Sequence, residues 1–398
     1  MIALFLNQFA FVSLYQNSQK DGYGGTIYMP CIFFVLLFLP SMKLADKHGN
    51  YRSLMFGVTV QLFGLLLAQA GGVYGILGGL VLNGVAMPFL FSMFMSVSGA
   101  WFNAQERIFA SGLLLFSIAV GAWGAKWAYF YEFQKLGPSL FFTDAHLGLG
   151  ISNLVLLIVA SIVYNSKPGA LPSRSQTVYR RVGYDFSRDI RLLKQDRIFR
   201  VAFPGMVMLV IYSYFAPYTS YFHYVKKIKT SSENVVVDVL YPLLLLVGIL
   251  FSTTLLAFIM TFRKLFIACL WANMICLILI EIGLLDPTNT VFYVGYLGQA
   301  FFIGTIQVLI YEFTSEICFP VSQAVATSLL HLIAMPVVLL LTEISYVINY
   351  KALQDSSVNA VFDYAMALMI SGVSMMMWQA SYRLKRIEFD FNDGQARE

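Results

Sequence analysis

Twelve apolar stretches of membrane-spanning length recur along this chain, and they constrain its fold more than any other feature. They run over roughly 1–19, 24–42, 52–71, 73–98, 107–131, 143–164, 198–222, 235–260, 264–284, 290–314, 321–348 and 361–381. Coiled as an α-helix, about 20 residues cross the hydrocarbon core of a bilayer. No water reaches that core, so each stretch must satisfy its own backbone, which a helix does. A soluble domain could not hide this much apolar surface: 59% of residues are hydrophobic and 12% charged, against about a quarter charged in soluble chains. The expected fold class is all-α and polytopic. Met1–Tyr15 lacks a basic lead and a small-residue cleavage site, so it reads as the first span rather than as a removable signal.

The polar breaks give the organisation. Asn165–Arg197, rich in Ser, Pro, Arg and Asp, separates two sets of six stretches. The expected parts are a bundle over 1–164, a linker over 165–197, a second bundle over 198–381 and a tail over 382–398. Within the linker, Tyr184–Phe199 spaces Phe186, Ile190, Leu193 and Ile198 among Arg188, Arg191, Lys194 and Arg197, the pattern of an amphipathic helix on a membrane surface. Nineteen of the 26 Lys and Arg residues fall inside if the N-terminus is cytoplasmic, which predicts both termini on that side. The membrane itself, plasma or organelle, is left open.

The net charge of +5 is spread among short loops, so nucleic acid is not an expected partner. The four cysteines, Cys31, Cys269, Cys276 and Cys318, lack metal-ligand spacing and read as buried thiols. No nucleophile–base pair, metal-ligand spacing or phosphate-binding glycine loop is present, so an enzyme or an ATP-driven pump is not expected.

Two polar islands carry a resemblance. Leu44-Ala45-Asp46-Lys47-His48-Gly49, with Arg52 close behind, resembles the loop between helices 2 and 3 of the major facilitator superfamily. Tyr311-Glu312-Phe313-Thr314-Ser315-Glu316-Ile317-Cys318-Phe319-Pro320, then Ser328-Leu329-Leu330, is similar to the helix 10–11 signature of the feline leukaemia virus subgroup C receptor-related transporters. Trp101-Phe102 and the turn through Glu106 look like the 4–5 loop of that family. The resemblance implies a 12-helix fold of two six-helix bundles and a solute carrier for choline-like, ethanolamine or haem-class cargo. It also implies a cytoplasmic gate, which falls here on Asp46, Lys47, Arg52, Glu106, Arg107, Glu312 and Glu316. Departures are visible. Met42 stands at a small-residue position, Asn50-Tyr51 replaces a basic pair, and the second copy, Thr261–Lys264, has lost its acid. The family's aromatic substrate positions fall on Phe11 and Phe215, and its glutamine positions on Ala119 and Met335.

Substrate sites in such carriers lie near the bilayer midplane, where the halves face each other. Aromatic candidates are Phe11 and, around Pro217, Tyr212, Tyr214, Phe215, Tyr218, Tyr221 and Phe222. A cation over one ring gains about 0.5–2 kcal/mol. With 16% aromatic residues, though, most rings simply pack or face lipid. Pro217 is expected to break its helix and free a carbonyl. Polar residues inside spans are Asn7, Asn83, Lys126, Glu281, Gln299, Gln307, His331 and Glu343. Three of these, Lys126, Glu281 and Glu343, lie near helix ends, where snorkelling explains them. His331 lies deep in its span, four residues before Met335, and an imidazole titrates near neutral pH. It is a candidate for a coupling proton, beside a bland reading as a neutral histidine bonded to a neighbouring helix.

The candidate substrate-binding set is therefore Phe11, Asn83, Tyr214, Phe215, Tyr218, Gln307, His331 and Met335. The expected function is secondary transport by alternating access, by a monomer in the lipid bilayer that moves a small-molecule solute, with no cofactor. The solute is expected to be a cationic or amphiphilic metabolite of the choline, ethanolamine, vitamin or haem class. The competing expectation is a transporter-like receptor or scaffold that has lost transport.

Overall fold

The computed structural model of the chain describes residues 1–20, 28–70, 72–136, 138–163, 186–228, 234–259, 262–285, 289–351 and 365–375. The tail over 382–398 and the first part of the linker lie outside them. The first half contains α1 (Ile2–Lys20), α2 (Tyr28–His48), α3 (Asn50–Ala70), α4 (Gly72–Trp101), α5 (Ala104–Leu136) and α6 (Pro138–Val163). A short α7 (Phe186–Gln195) leads into α8 (Arg197–Ile228), α9 (Asn234–Ile259), α10 (Phe262–Leu285), α11 (Thr290–Ile317) and α12 (Gln323–Lys351). The last described helix, α13, covers Ala365–Met375. Eight of these helices are long and apolar enough to cross a membrane, and four shorter apolar segments, in α1, α2, α6 and α13, make up twelve among the described residues.

The polar islands are shorter than the sequence suggests. The 2–3 loop is expected as a charged turn over Met42–Arg52, yet α2 continues to His48 and α3 resumes at Asn50. Only Gly49 lies between them, at φ 86°, a left-handed conformation that glycine adopts without a Cβ clash. Lys47 and His48 occupy the last turn of α2, where positive charge complements the helix dipole. Elsewhere single polar residues start helices. Asn103 Oδ1 accepts the Glu106 N–H at 2.9 Å to begin α5, and Asp196 Oδ1 accepts the Ile198 N–H at 2.9 Å to begin α8. The surface helix expected over Tyr184–Phe199 is α7, and it stops earlier, because Asp196 caps α8 instead of continuing α7. Nor does Pro217 break α8, which runs unbroken through both Pro204 and Pro217. A proline removes one N–H, and the remaining ladder carries the helix past it.

The chain divides into two compact units, Met1–Phe186 with Ser322–Ser328, and Ser187–Val321 with Leu329–Glu398. In the first, α1 packs on α3 and α6 through Leu6, Ala10, Leu65 and Leu149, and on α3 and α4 through Leu14, Ala68 and Leu80. In the second, α9, α10 and α11 share a cluster of Tyr241, Ile280, Phe292, Tyr296 and Ala300. Lipid is as apolar as leucine, so close backbone approach and van der Waals packing hold such helices together. Gly248 of α9 and Gly304 of α11 show this in the second unit. A Cβ on Gly248 would overlap the Phe301 carbonyl oxygen, and one on Gly304 would overlap that of Leu245. The Thr305 hydroxyl donates across the same crossing to the Gly248 carbonyl at 3.2 Å. Meanwhile side chains such as Phe63, Phe258, Leu285 and Leu368 point outward and exposed, as a lipid-facing surface requires.

Candidate functional site

In the first unit, several of the fully buried polar side chains are amides. Asn7 on α1 donates through Nδ2 to Asn83 Oδ1 on α4 at 2.5 Å, and Asn83 Nδ2 returns a longer bond of 3.4 Å to the Asn7 carbonyl. Both residues are fully buried, so this pair ties α1 to α4 and occupies the Asn83 amide that the sequence assigns to substrate. Phe11 packs beside Leu14, Ala68 and Leu80. Two further amides, Gln61 on α3 and Asn153 on α6, escaped the sequence reading. Asn153 Nδ2 donates to the Leu149 carbonyl at 2.9 Å, but its oxygen and both polar ends of Gln61 have no partner among the described residues. Their signal was available, as a lone amide within an apolar run.

The second unit places its polar groups around α8. Tyr212 and Tyr214 stand two residues apart, hence on roughly opposite sides of the helix. The Tyr212 hydroxyl accepts from Asn273 Nδ2 of α10 at 2.5 Å and from Gln299 Nε2 of α11 at 3.4 Å. All three residues are buried, and the nearby cluster holds the Tyr241 hydroxyl without a partner among the described residues. Asn273 was missed from sequence for the same reason as Gln61.

Tyr214 instead meets α11 and α12. His331 is fully enclosed. Its Nε2 lies 2.9 Å from the Tyr311 hydroxyl, and the two rings stack at 5.5 Å with an interplanar angle of 13°. The Tyr214 ring stands edge-on to the imidazole at 6.4 Å, and its side chain hydrogen-bonds that of Tyr311. Two expected site residues, Tyr214 and His331, are therefore brought together by a third, Tyr311, which the sequence placed only within a motif. Phe215 is buried on α8, and Gln307 and Met335 are half-buried on α11 and α12. The Tyr218 side chain lies outside the described residues.

The gate residues separate into two kinds. Lys47, Arg52 and Glu106 are exposed, and Arg52 Nη1 donates to His48 Nδ1 at 2.9 Å across the Gly49 turn. Arg107, Glu312 and Glu316 are at most 1% exposed, not the surface charges the sequence predicts. The reason is local: α11 is buried without interruption from Val308 through Cys318, so both glutamates fall inside it. Neither Glu312 carboxylate oxygen has a hydrogen-bond partner among the described residues. The Asp46 side chain lies outside them. No group of three or more His, Cys, Asp and Glu side chains is placed to hold a metal ion among the described residues.

The second unit thus gathers rings and an imidazole on α8, α11 and α12, with buried carboxylates on α11. Comparison with known proteins gives the family. The sequence profile of the Major Facilitator Superfamily matches residues 2–342. The fold resembles the crystal structure of an MFS transporter, FucP, in the outward conformation, with TM-score 0.67, 13% identity and coverage of 96% of this chain and 99% of that one. A variant of the E. coli Fucose:proton symporter FucP matches with TM-score 0.66 and 14% identity, over 96% of this chain and 98% of that one. No curated protein sequence matches the chain.

Proposed function

The chain belongs to the Major Facilitator Superfamily, and from that premise we propose that it carries a small organic solute of cationic or amphiphilic character across its membrane by alternating access. Family and fold make it a transporter rather than an enzyme. The observation that carries the solute reading is on α8, where Tyr214 stands edge-on to a histidine bonded to Tyr311 and is followed by the buried Phe215. Ring faces in a dry site attract an organic cation and its alkyl groups together. Resemblance of the Glu312–Pro320 stretch to the feline leukaemia virus subgroup C receptor-related transporters points the same way, towards choline, ethanolamine or a related vitamin. Haem fits less well, because the His331 nitrogen that could ligate iron is engaged with Tyr311. In this reading Lys47, Arg52 and Glu106, with the interior Arg107, Glu312 and Glu316, latch the cytoplasmic ends of the helices as the halves rock.

The test is uptake and efflux of labelled choline, ethanolamine and pyridoxine in cells expressing the chain, at two external pH values. Transport of one of them is expected to fall at least tenfold in Phe215→Ala and to lose its pH dependence in His331→Gln. Transport indifferent to both changes would remove the site from α8 and α12. No transport of any solute by folded, correctly located protein would favour a receptor.

A further inference from the structure

Besides Arg107, Glu312 and Glu316, the interior polar groups described above are mostly amides and hydroxyls, which do not titrate near neutral pH. His331 is a buried imidazole, the residue type whose ordinary titration lies near neutral pH. Its imidazole reaches Tyr214 through one hydroxyl, that of Tyr311, and Tyr214 is the least buried of the three. Two groups that face the imidazole are Tyr311 from α11 and Tyr214 from α8. On α11 the acids Glu312 and Glu316 follow one and five residues after Tyr311, and would favour a charged imidazole. On α8 no charged side chain lies between Arg200 and Lys226, with His223 the one other histidine of that helix. On α12 none lies between Gln323 and Thr342 apart from His331 itself.

A hydroxyl has one proton to give. When Nε2 is bare, the Tyr311 O–H can donate to it, and the Tyr311 oxygen is then open to the Tyr214 O–H. An imidazolium carries hydrogen on both nitrogens, so Nε2 must donate to the Tyr311 oxygen. The Tyr311 proton then turns to the Tyr214 oxygen. Both bonds reverse together.

We infer that His331, Tyr311 and Tyr214 form a polarity relay, in which protonation of His331 turns the Tyr214 oxygen from an outward lone-pair donor into an inward acceptor and releases its O–H towards the solute. The inference rests on the proposed transport site and deepens it. In the neutral state Tyr214 offers a ring and lone pairs, which suit a cation. In the charged state it offers an O–H beside an imidazolium, which repels one. Proton and cationic solute therefore exclude each other, and coupling takes the form of exchange rather than cotransport.

The test needs no solute. The full chain, labelled with ¹⁵N-histidine and held in lipid nanodiscs, is titrated by NMR from pH 5 to 8. The His331 signal is assigned among the four histidines by its loss in His331→Gln. Tyr311→Phe keeps the stacked ring and removes the hydroxyl. A hydrogen bond from the charged imidazole is stronger than one to the neutral ring, so this change should lower the His331 midpoint by about one pH unit, tenfold in proton affinity. Tyr214→Phe should lower it by less, and Tyr212→Phe, on the other side of α8, should leave it in place. An unchanged midpoint in Tyr311→Phe protein that melts like wild type overturns the relay. Should Tyr311→Phe fail to fold, an unchanged midpoint in Tyr214→Phe does the same, as does a His331 signal that never titrates in wild type. Because solute is absent, this outcome stands apart from any failure to find transport.

Discussion

In the first unit the buried polar side chains include amides, with Asn7 bonded to Asn83 and with Gln61 and Asn153 incompletely paired. In the second they include tyrosines held by partners from other helices, Tyr212 by Asn273 and Gln299, and Tyr311 by His331. The contrast is chemical. An amide stays neutral across the accessible pH range, so the Asn7–Asn83 tie between α1 and α4 responds only to geometry. A tyrosine beside an imidazole responds to a proton as well.

The contrast can be broken first at the helix crossings. Gly304→Leu drives a side chain into the Leu245 carbonyl of α9, beneath the tyrosine cluster. Overpacking of this kind costs about 3 kcal/mol or more where backbone cannot retreat. The expected result is loss of the monodisperse peak in size-exclusion chromatography of a fluorescent fusion. A normal peak would show that α9 and α11 can separate and that the second unit is less rigid than its packing implies.

A smaller effect separates the two polar sets directly. Tyr212→Phe leaves the Asn273 amide nitrogen facing a ring edge, and a buried group so stranded costs about 1–3 kcal/mol. Asn83→Leu removes the two interhelical bonds that its amide makes in the first unit, for which about 0.6 kcal/mol each is typical in membranes. Thermal unfolding in one detergent should rank Tyr212→Phe as the more damaging change. The reverse order would place the tighter polar tie in the first unit.

The smallest effect belongs to the exposed gate residues. Lys47→Ala should alter stability by less than about 0.5 kcal/mol, since its side chain is exposed and surface pairs contribute little. Its effect, if it latches the helix ends, appears in transport rate while the melting temperature stays put. A lowered melting temperature with unchanged rate would make Lys47 a packing residue.

Much of this molecule was legible in its residues. The twelve apolar runs, the division after the sixth and the family motif around Asp46 each follow from local chemistry, because a helix in lipid satisfies its backbone alone. His331 and Asn83 could be picked out as polar residues in apolar runs by the same logic. Their partners could not. Asn83 lies 76 residues from Asn7 and Tyr212 lies 87 from Gln299, and a helical period gives the face of a residue without naming the helix opposite it. Glu312, Glu316 and Arg107 show the limit most plainly. Sequence reads charges near helix ends as surface charges, since charge belongs in water. Only packing of the whole bundle decides that a helix end is buried, and with it whether such a charge sits outside or within. Sequence by itself determined that this chain crosses a membrane many times as helices. Tertiary structure decided which polar groups meet, because that depends on how neighbouring helices turn and cross.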